Sequence, residues 1–587
     1  MLFSYHMASL EEKRHTLAHV LAAAVLERYP HARPTIGPAI DNGFYYDFDF
    51  SEGPAPKEAD LEILQASMEE MLPSWGSMTG NEISPEDARA RFAENPFKLE
   101  LIEGIVSAKD PITLYTAGGF TDLCRGGHAE SPAHDIKIGT FVLERIAGAY
   151  WRGDEKNPML TRIYGLAFDT KEALVAYQAQ QEEAKKRDHR KLGKELDLFT
   201  FSDLVGPGMP LFTPRGATVR NEIVGYSREL NNKLGFGEVH TPNVNKAELF
   251  KTSGHYDQYK EDMLSVRSQY VADEMFLKPM NCPQHTQIFA SKPRSYRDLP
   301  IRYSDFAVLY RDERPGELSG LTRLRAFSQD DGHIFCREDQ IEKEVSNVLA
   351  AIQEALGTYR ISYWMRLSLR DPENKEKYLG EDATWDRAED VMRDLLTTQN
   401  IEFKEALGEA AFYGPKIDIM AVDALGREWQ ISTIQLDFVQ PTRFGLEYTA
   451  EDGTKKTPVM IHRALVGSPD RFLGILIEHY AGAFPTWLSP IQARILPVSE
   501  KQKEYATTVF QKMQSTGIRV EIDDANESLG KRIRSAKQEK VPYLLVVGDK
   551  EIESNTLSVE SRDRGPEGAI AVSEFVERVL EEIRTRA

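Results

Sequence analysis

Cysteine is scarce in this 587-residue chain: Cys124, Cys282 and Cys336 are its only three. So few thiols exclude a disulfide framework, and a reducing, cytoplasmic setting is the natural expectation. No apolar run reaches the roughly 18–20 residues that a membrane span needs. The opening "MLFSYHMASLEEKRH" lacks an apolar stretch leading to a small-residue cleavage site, so no secretory signal is read. Excess positive charge is missing too. A net charge of −20 at pH 7 excludes a protein that coats nucleic acid by global attraction, while leaving room for a local basic patch. Neither G-x-x-x-x-G-K-S/T nor G-x-G-x-x-G occurs, so any bound nucleotide must be held by side chains, arginines first.

What is present describes an ordinary globular protein, 41% hydrophobic and 28% charged, too long for one core and expected to form three or more domains. Residues 1–170 mix short strands and helices. Within them "SEGPAPKEADLEILQASMEEML" reads as a loop entering a helix whose apolar positions are Leu61, Leu64, Met68 and Leu72. Residues 171–197, poor in glycine and proline and rich in Ala, Glu, Lys and Gln, predict a solvated helix joining two domains. Residues 198–490 form a larger α/β portion, with strand-like runs "IRYSDFAVLY" and "REWQISTIQLDFV". Residues 491–587 alternate strand and helix in the cadence of a small α/β domain with a largely parallel sheet.

Two histidine–cysteine sets stand out. "EKRHTLAHV" puts His15 and His19 four apart, on one helix face, and "FTDLCRGGHAE" repeats that spacing with Cys124 and His128. The first pair resembles H-E-x-x-H, but Thr16 occupies the place of the catalytic glutamate. Chance spacing, a zinc set or a metal-free hydrolytic pocket all remain open. The second set is Cys282 in "MNCPQH", His333 in "QDDGHIF" and His462 in "MIHRALVG". One thiolate and two imidazoles suit zinc with an open position, although each could equally be a core residue, and His285 and Cys336 are nearby decoys that spacing does not remove. Arginines form the third set: Arg311, Arg314, Arg323 and Arg325 in "YRDERPGELSGLTRLRAFSQDD", and Arg471 at the start of an apolar helix. Their planar forks suit phosphate, helped by a helix N-terminus.

"YRDE…RLRAFSQDD" and "GSPDRFLGILIE" resemble motifs 2 and 3 of class II aminoacyl-tRNA synthetases, and "RGATVRNEIVGYSRELNNKLGFGEVHTPNV" resembles motif 1, the dimerisation element. With "MNCPQH", "QDDGHIF", "AFYGPKID", "WQISTIQLDF" and "MIHRALVGS", the chain resembles the threonyl-tRNA synthetases over nearly its whole length. The resemblance implies a multidomain α/β and α+β protein: an α+β editing domain (1–170), a linker helix (171–197), a catalytic domain on an antiparallel sheet (198–490) and an α/β anticodon-binding domain (491–587). It implies a homodimer that joins threonine to tRNA-Thr with ATP, and hydrolyses seryl-tRNA mistakes at His15, His19, Lys98, Asp122, Cys124 and His128. It implies one zinc ion on Cys282, His333 and His462, and magnesium accompanying ATP. Arg311 would face the α-phosphate, Arg471 and Arg323 the outer phosphates, and Phe327 and Glu313 the adenine, with Gln430, Thr433 and Ser468 also at ATP. Gln329, Asp331, Tyr413, Gln435 and Lys416 would surround threonine, and His255 would assist transfer to the tRNA 3′ end. Asn526, Lys531 and Arg534, with Arg532, Lys537 and Lys540 beside them, would meet the anticodon. Two departures are noted: Glu560 stands where an arginine commonly helps, with Arg562 a possible substitute, and the small ubiquitin-like domain that often precedes the editing domain is not expected. The competing readings are a non-catalytic RNA-binding relative and a hydrolase acting only on mischarged tRNA.

Overall fold

The computed structural model describes residues 8–524 and 526–587. The chain divides into two compact units, Met1–Glu182 and Glu183–Ala587.

In the first unit, helix Leu10–Arg28 starts at a reciprocal cap. The Ser9 hydroxyl accepts the Glu12 N–H, and the Glu12 carboxylate accepts the Ser9 N–H at 2.7 Å. Its buried Leu17, Leu21 and Val25 join a core with Phe44, Tyr46 and Phe48 from strand Gly43–Asp49. Burying each such side chain contributes about 1.5–3 kcal/mol. That strand lies in an antiparallel sheet between Arg33–Pro34 and Met159–Ala167, with Phe141–Tyr150 beyond. A second antiparallel sheet is made of Thr79–Glu82, Thr113–Ala117 and Phe120–Leu123. Helix Leu61–Met71 buries Leu61, Leu64 and Met68, the face that the apolar spacing predicts.

The expected single linker helix is two. Lys171–Arg187 ends before Asp188, whose carboxylate accepts the Arg190 N–H at 2.8 Å and caps a new helix, His189–Glu195. The second helix is not a solvated rod, because His189, Leu192 and Gly193 are buried.

The second unit is built on an eight-stranded sheet: Gly237–Glu238, Ile301–Asp305, Asp331–Cys336, Val459–Ala464, Glu428–Asp437, Lys416–Val422, Ser362–Leu369 and Phe403–Leu407, in that spatial order. Only its two outermost pairings are parallel, so the working part is antiparallel, as the resemblance implies. Helix Ile341–Thr358 covers it with Val345, Val348, Ile352 and Leu356. The run "IRYSDFAVLY" splits in two: Ile301–Asp305 joins the large sheet, while Val308–Tyr310 pairs with Ala326–Ser328 in a separate ribbon.

Helix Pro214–Lys233 runs between this sheet's surroundings and the C-terminal part. Arg215, Glu222 and Glu229 are seven residues apart, two turns each, and so share one face. They pair with Glu539 at 2.8 Å, with Arg519 at 2.6 Å and with Arg586. Away from that helix, Arg562 donates to the Phe484 carbonyl at 2.9 Å and Thr486 to Glu582 at 2.9 Å. From another face of the helix, Arg220 holds Asp470 at 2.7 Å and also Ser328.

The C-terminal sheet has the order Val520–Ile522, Ala493–Pro497, Tyr543–Val547, Thr556–Ser561, Gly565–Ala571. Its first two pairings are parallel and its last two antiparallel, which corrects the expectation of a largely parallel sheet. The missed hairpin, "TLSVES" and "GPEGAIA", is short, polar and glycine-bearing, and carries little strand signal.

Candidate active sites

The large sheet gathers residues that are far apart in sequence. His333, His462, Gln435 and Lys416 are register partners in turn, one row across four adjacent strands. A second row holds Ala464, Thr433, Asp418 and Arg366. Cys282 opens helix Cys282–Ala290 over the first row. One donor atom each from Cys282, His333 and His462 lies within 4.8 Å of the others, and all three residues are buried.

The remaining nitrogens show how this set is aimed. Asp437 lies 2.9 Å from His462 Nε2, and the His285 ring lies 2.7 Å from His333 Nδ1. His462 Nδ1 and His333 Nε2 are left facing each other at 3.0 Å. A carboxylate behind a ligating imidazole is a recurring way of fixing its orientation. Burial, then the neighbouring imidazoles, holds His333 well below its ordinary pKa, so it is neutral with a free lone pair; burial pushes the Cys282 thiol well up. Converging imidazole nitrogens and a thiol whose proton a cation would displace fit a metal ion. The decoys are resolved: His285 stands behind His333, and Cys336, an odd number of residues from His333 on the same strand, packs in the apolar core.

A cavity of about 730 Å³ opens on this set, lined by His255, Asp331, Tyr413, Lys416 and Gln435 among others. Tyr413 donates to Gln435 at 2.5 Å and stacks on His462 with ring centroids 4.7 Å apart. Burial pushes Asp331 upward. His255 Nδ1 meets Ser253 at 2.7 Å, and burial, reinforced by His462 and Arg311, pulls this imidazole down to about 3.

A second cavity of about 540 Å³ is lined by Phe327, Gln430, Ser468 and Arg471, and shares Arg311, Glu313, Arg323, Gln329 and Thr433 with the first. Arg311 lies 5.2 Å over the Phe327 ring. Arg471 follows the Ser468 cap of helix Pro469–His479, and its buried Nε finds no hydrogen-bond partner among the described residues. Such an orphaned donor at a helix N-terminus suits an oxyanion. Asp418, fully buried, accepts from Gln430 at 2.7 Å, Thr433 at 3.0 Å and Lys416 at 2.8 Å, fixing three expected site residues at once. Arg323 and Glu313 are engaged with each other at 2.7 Å, and Arg323 also with Glu317 at 2.9 Å.

The first unit brings together all six of its expected residues. Cys124 Sγ lies 3.4 Å from His15 Nε2 and 3.1 Å from His128 Nε2, and His15 Nδ1 faces the Gly127 carbonyl at 3.2 Å. Gly126 and Gly127 have φ of 104° and 81°, the left-handed backbone that this turn requires. Thr16, at the glutamate's place, faces inward and accepts the Ala129 N–H at 3.0 Å, tying the Cys–His turn to the helix. Beside them Lys98 meets Asp122 at 2.6 Å, and His19 Nδ1 lies 3.5 Å from the same carboxylate. Tyr46, absent from the sequence reading, donates to Asp122 and accepts from Lys98 at 3.3 Å; only its place in an alternating strand hinted that it faces inward. Burial works to raise Asp122, but Lys98 and His19 outweigh it and keep the carboxylate ionised. Burial lowers His15, lowers His19 to about 4 and lowers His128 to about 2, so all three are neutral near pH 7. A cavity of about 600 Å³ opens on His15, His19, Tyr46, Lys98, Asp122 and Cys124. These four Cys and His side chains also lie close enough together to hold a metal ion.

On the C-terminal helix Leu529–Gln538, Arg534 is exposed and Lys531 pairs with Glu527 at 2.5 Å, and Asn526, ahead of the helix, is exposed too. Arg532 is a correction: it is buried and donates to the Asp523 and Pro497 carbonyls at 2.6 and 2.8 Å. Arg562 does not stand in for Glu560, since it braces the Phe484 and Lys540 carbonyls at 2.9 and 3.0 Å, while Glu560 pairs with Lys537 at 2.6 Å. Among the described residues no helix is long and apolar enough to cross a membrane.

Three family profiles match this chain: "tRNA synthetase class II core domain (G, H, P, S and T)" over residues 265–480, "Anticodon binding domain" over 492–582, and "Threonyl and Alanyl tRNA synthetase second additional domain" over 112–164. The chain is 48% identical over 577 residues to the threonine–tRNA ligase of Rubrobacter xylanophilus, covering 98% of this chain and 89% of that one. It is 46% identical over 579 residues to that of Synechocystis, covering 97% and 95%. Among solved structures it is similar to the RNA binding domain of threonyl-tRNA synthetase from Cryptosporidium parvum. That match has a TM-score of 0.64 and 39% identity, and covers 67% of this chain and 98% of that one.

Proposed function

The chain belongs to the threonine–tRNA ligase family, and on that premise we propose which of its residues do what. It is an aminoacyl-tRNA synthetase that couples threonine to tRNA at the expense of ATP, which enters with magnesium, and it carries the domain that the family uses against mischarged tRNA.

The 730 Å³ cavity receives threonine and the 540 Å³ cavity receives ATP, with Arg311 at their junction, where carboxylate meets α-phosphate. The observation that carries this reading is the register row His333–His462–Gln435, with Asp437 and His285 fixed behind the imidazoles. Cys282, His333 and His462 would hold one zinc ion, whose chemistry is to bind the amino and hydroxyl groups of threonine together. Asp331, Tyr413 and Gln435 orient the amino acid. Arg311 neutralises the charge that develops on the α-phosphate, Arg471 takes an outer phosphate, and Phe327 offers its free face to adenine. Arg323 reaches the outer phosphates only after exchanging Glu313 and Glu317 for them. His255, neutral beside the chamber, accepts a proton from the attacking ribose hydroxyl.

A site built to bind a hydroxyl rejects valine by about 10⁴–10⁵, whereas serine lacks only a methyl, worth about 1–3 kcal/mol. Serine is therefore activated at times, and the first unit removes it. There Cys124 and the neutral His15 and His128 orient a water, and the Lys98–Asp122–Tyr46 group holds the amino acid's charged end. Asn526, Lys531 and Arg534 contact the anticodon arm. Residues 1–170, 171–197, 198–490 and 491–587 serve as editing domain, linker, catalytic domain and anticodon-binding domain. The enzyme works in the cytoplasm as a homodimer through the 215–244 segment, which sedimentation would test.

The test is ATP–pyrophosphate exchange with each amino acid, together with metal analysis. Threonine-dependent exchange, weaker exchange with serine, none with valine and about one zinc per chain are expected. Absence of exchange with any amino acid in a zinc-loaded sample overturns the reading.

A further inference from the structure

His189 lies outside every motif discussed so far, yet both its ring nitrogens are committed. Nδ1 lies 2.6 Å from Glu478 Oε1, which also accepts the His189 backbone N–H at 3.0 Å. Nε2 accepts the Leu321 backbone N–H at 2.9 Å. These two bonds fix a neutral ring with its proton on Nδ1. They also exclude a metal at Asp188, His189 and Glu478, because neither nitrogen has a lone pair to spare. The ring is buried and closely enclosed. A Cβ on Gly320, which has φ +48°, would come within 2.1 Å of Nε2, and one on Gly474 within 3.6 Å of Cδ2.

The two partners belong to the two walls of the ATP cavity. Leu321 and Thr322, in the loop of the Val308–Ser328 ribbon, line it directly. Glu478 sits on helix Pro469–His479, which carries Arg471, and its other oxygen is held by Arg427. Arg427 and Arg471 lie 5.5 and 5.6 Å from the Trp429 ring. The segment that follows the linker helix thus inserts one imidazole between the phosphate-facing loop and the phosphate-facing helix.

We infer that His189 is a positioning residue for ATP: it clamps the Leu321 amide to Glu478 and sets the spacing of the loop and helix that enclose the triphosphate. The inference rests on assigning that cavity to ATP. Two substitutions separate its halves. His189→Asn keeps a donor for Glu478 and loses the acceptor for Leu321; His189→Gln keeps an acceptor near Leu321 and loses the donor.

In ATP–pyrophosphate exchange, H189N raises KM for ATP about five- to tenfold, the worth of one buried hydrogen bond, with KM for threonine unchanged, and H189Q recovers most of that loss. Hydrogen exchange read at Leu321 needs no nucleotide. Its amide loses protection in H189N, regains it in H189Q, and the rest of the unit is unaffected. A Leu321 amide equally protected in wild type and H189N overturns the clamp, as does an equal rise in KM for ATP and threonine in both variants. If the wild type shows no ATP-dependent exchange while the amide behaves as stated, the assignment of the cavity is at fault and the clamp stands.

Discussion

Cys282 with His333 and His462, and Cys124 with His15, His19 and His128, use the same side chains in different electrostatic company. Behind the first set stands a carboxylate, Asp437 at 2.9 Å from His462 Nε2, while Asp331 lies 3.7 Å from the inward-facing Nε2 of His333. Beside the second stands a buried ion pair, Lys98 with Asp122, in which Asp122 favours protonation of His19 and Lys98 opposes it. One set has its outer nitrogens tied so that lone pairs converge. In the other, the Nδ1 atoms of His19 and His128 make no hydrogen bond among the described residues. Ligand type alone would call both sets zinc sites. The charges and hydrogen bonds around them differ, and our proposal gives a cation to the first and an oriented water to the second on that difference.

The sharpest way to break this contrast is His462→Ala. Threonine-dependent exchange should fall about 10⁴-fold, the scale of hydroxyl recognition, and bound zinc should disappear, while hydrolysis of seryl-tRNA is unchanged. Loss of hydrolysis in the same variant, or exchange that survives, would remove the division of labour.

Lys98→Met probes the other side. It strands Asp122 as a buried, unpaired carboxylate, which costs about 3–5 kcal/mol. Urea melts should register this in the first unit, with hydrolysis of seryl-tRNA abolished and exchange intact. The double variant Lys98→Met/Asp122→Asn should recover much of the stability without the hydrolysis.

Acid should act through the buried imidazoles of the first unit, His19 among them. The pKa of His19 falls from 6.5 to about 4 on folding, chiefly through burial. The unfolded chain therefore binds the proton more readily, and the stabilising contribution is full above about pH 6.5. It is lost progressively as pH falls to about 4, amounting to about 3 kcal/mol by the lower limit. The slope of stability against pH in this window should flatten in His19→Gln.

The smallest effect concerns two cations one position apart. Lys531→Ala should weaken tRNA binding about two- to threefold and reduce the salt slope by about 1. Arg532→Ala should leave that slope alone and lower the melting point, since its partners are backbone carbonyls. A salt slope that moves with Arg532 instead would return it to the RNA-facing side.

Much of this was legible in the chain, and the gaps have physical reasons. The three metal-ligand candidates and the paired i,i+4 spacings stand out because few side chains do that chemistry. His285 escaped because i,i+3 on a helix keeps it beside Cys282, so spacing could not say which of the two faces inward. Cys336 was removable in principle, since an odd offset on a strand changes face. The charge of Arg532 suggests a surface position, although Leu529, Ile533 and Ala536 mark its side of the helix as the packed one. Tyr46 carries no more than the hint of its strand position and His189 no signal at all: each acquires its role from partners more than 50 positions away.

The seven-residue row Arg215, Glu222 and Glu229 has a mechanical consequence. Anchors at those points span about 21 Å along one rod, and collinear anchors by themselves make a hinge pin, about which the C-terminal part could swing like a door. The Arg562–Phe484 and Thr486–Glu582 contacts lie off that pin and act as its latch. With pin and latch both closed, helix Leu529–Gln538 stands at a fixed distance from the cavities on the large sheet, so on the proposed assignment the two ends of a bound tRNA would meet a rigid gauge.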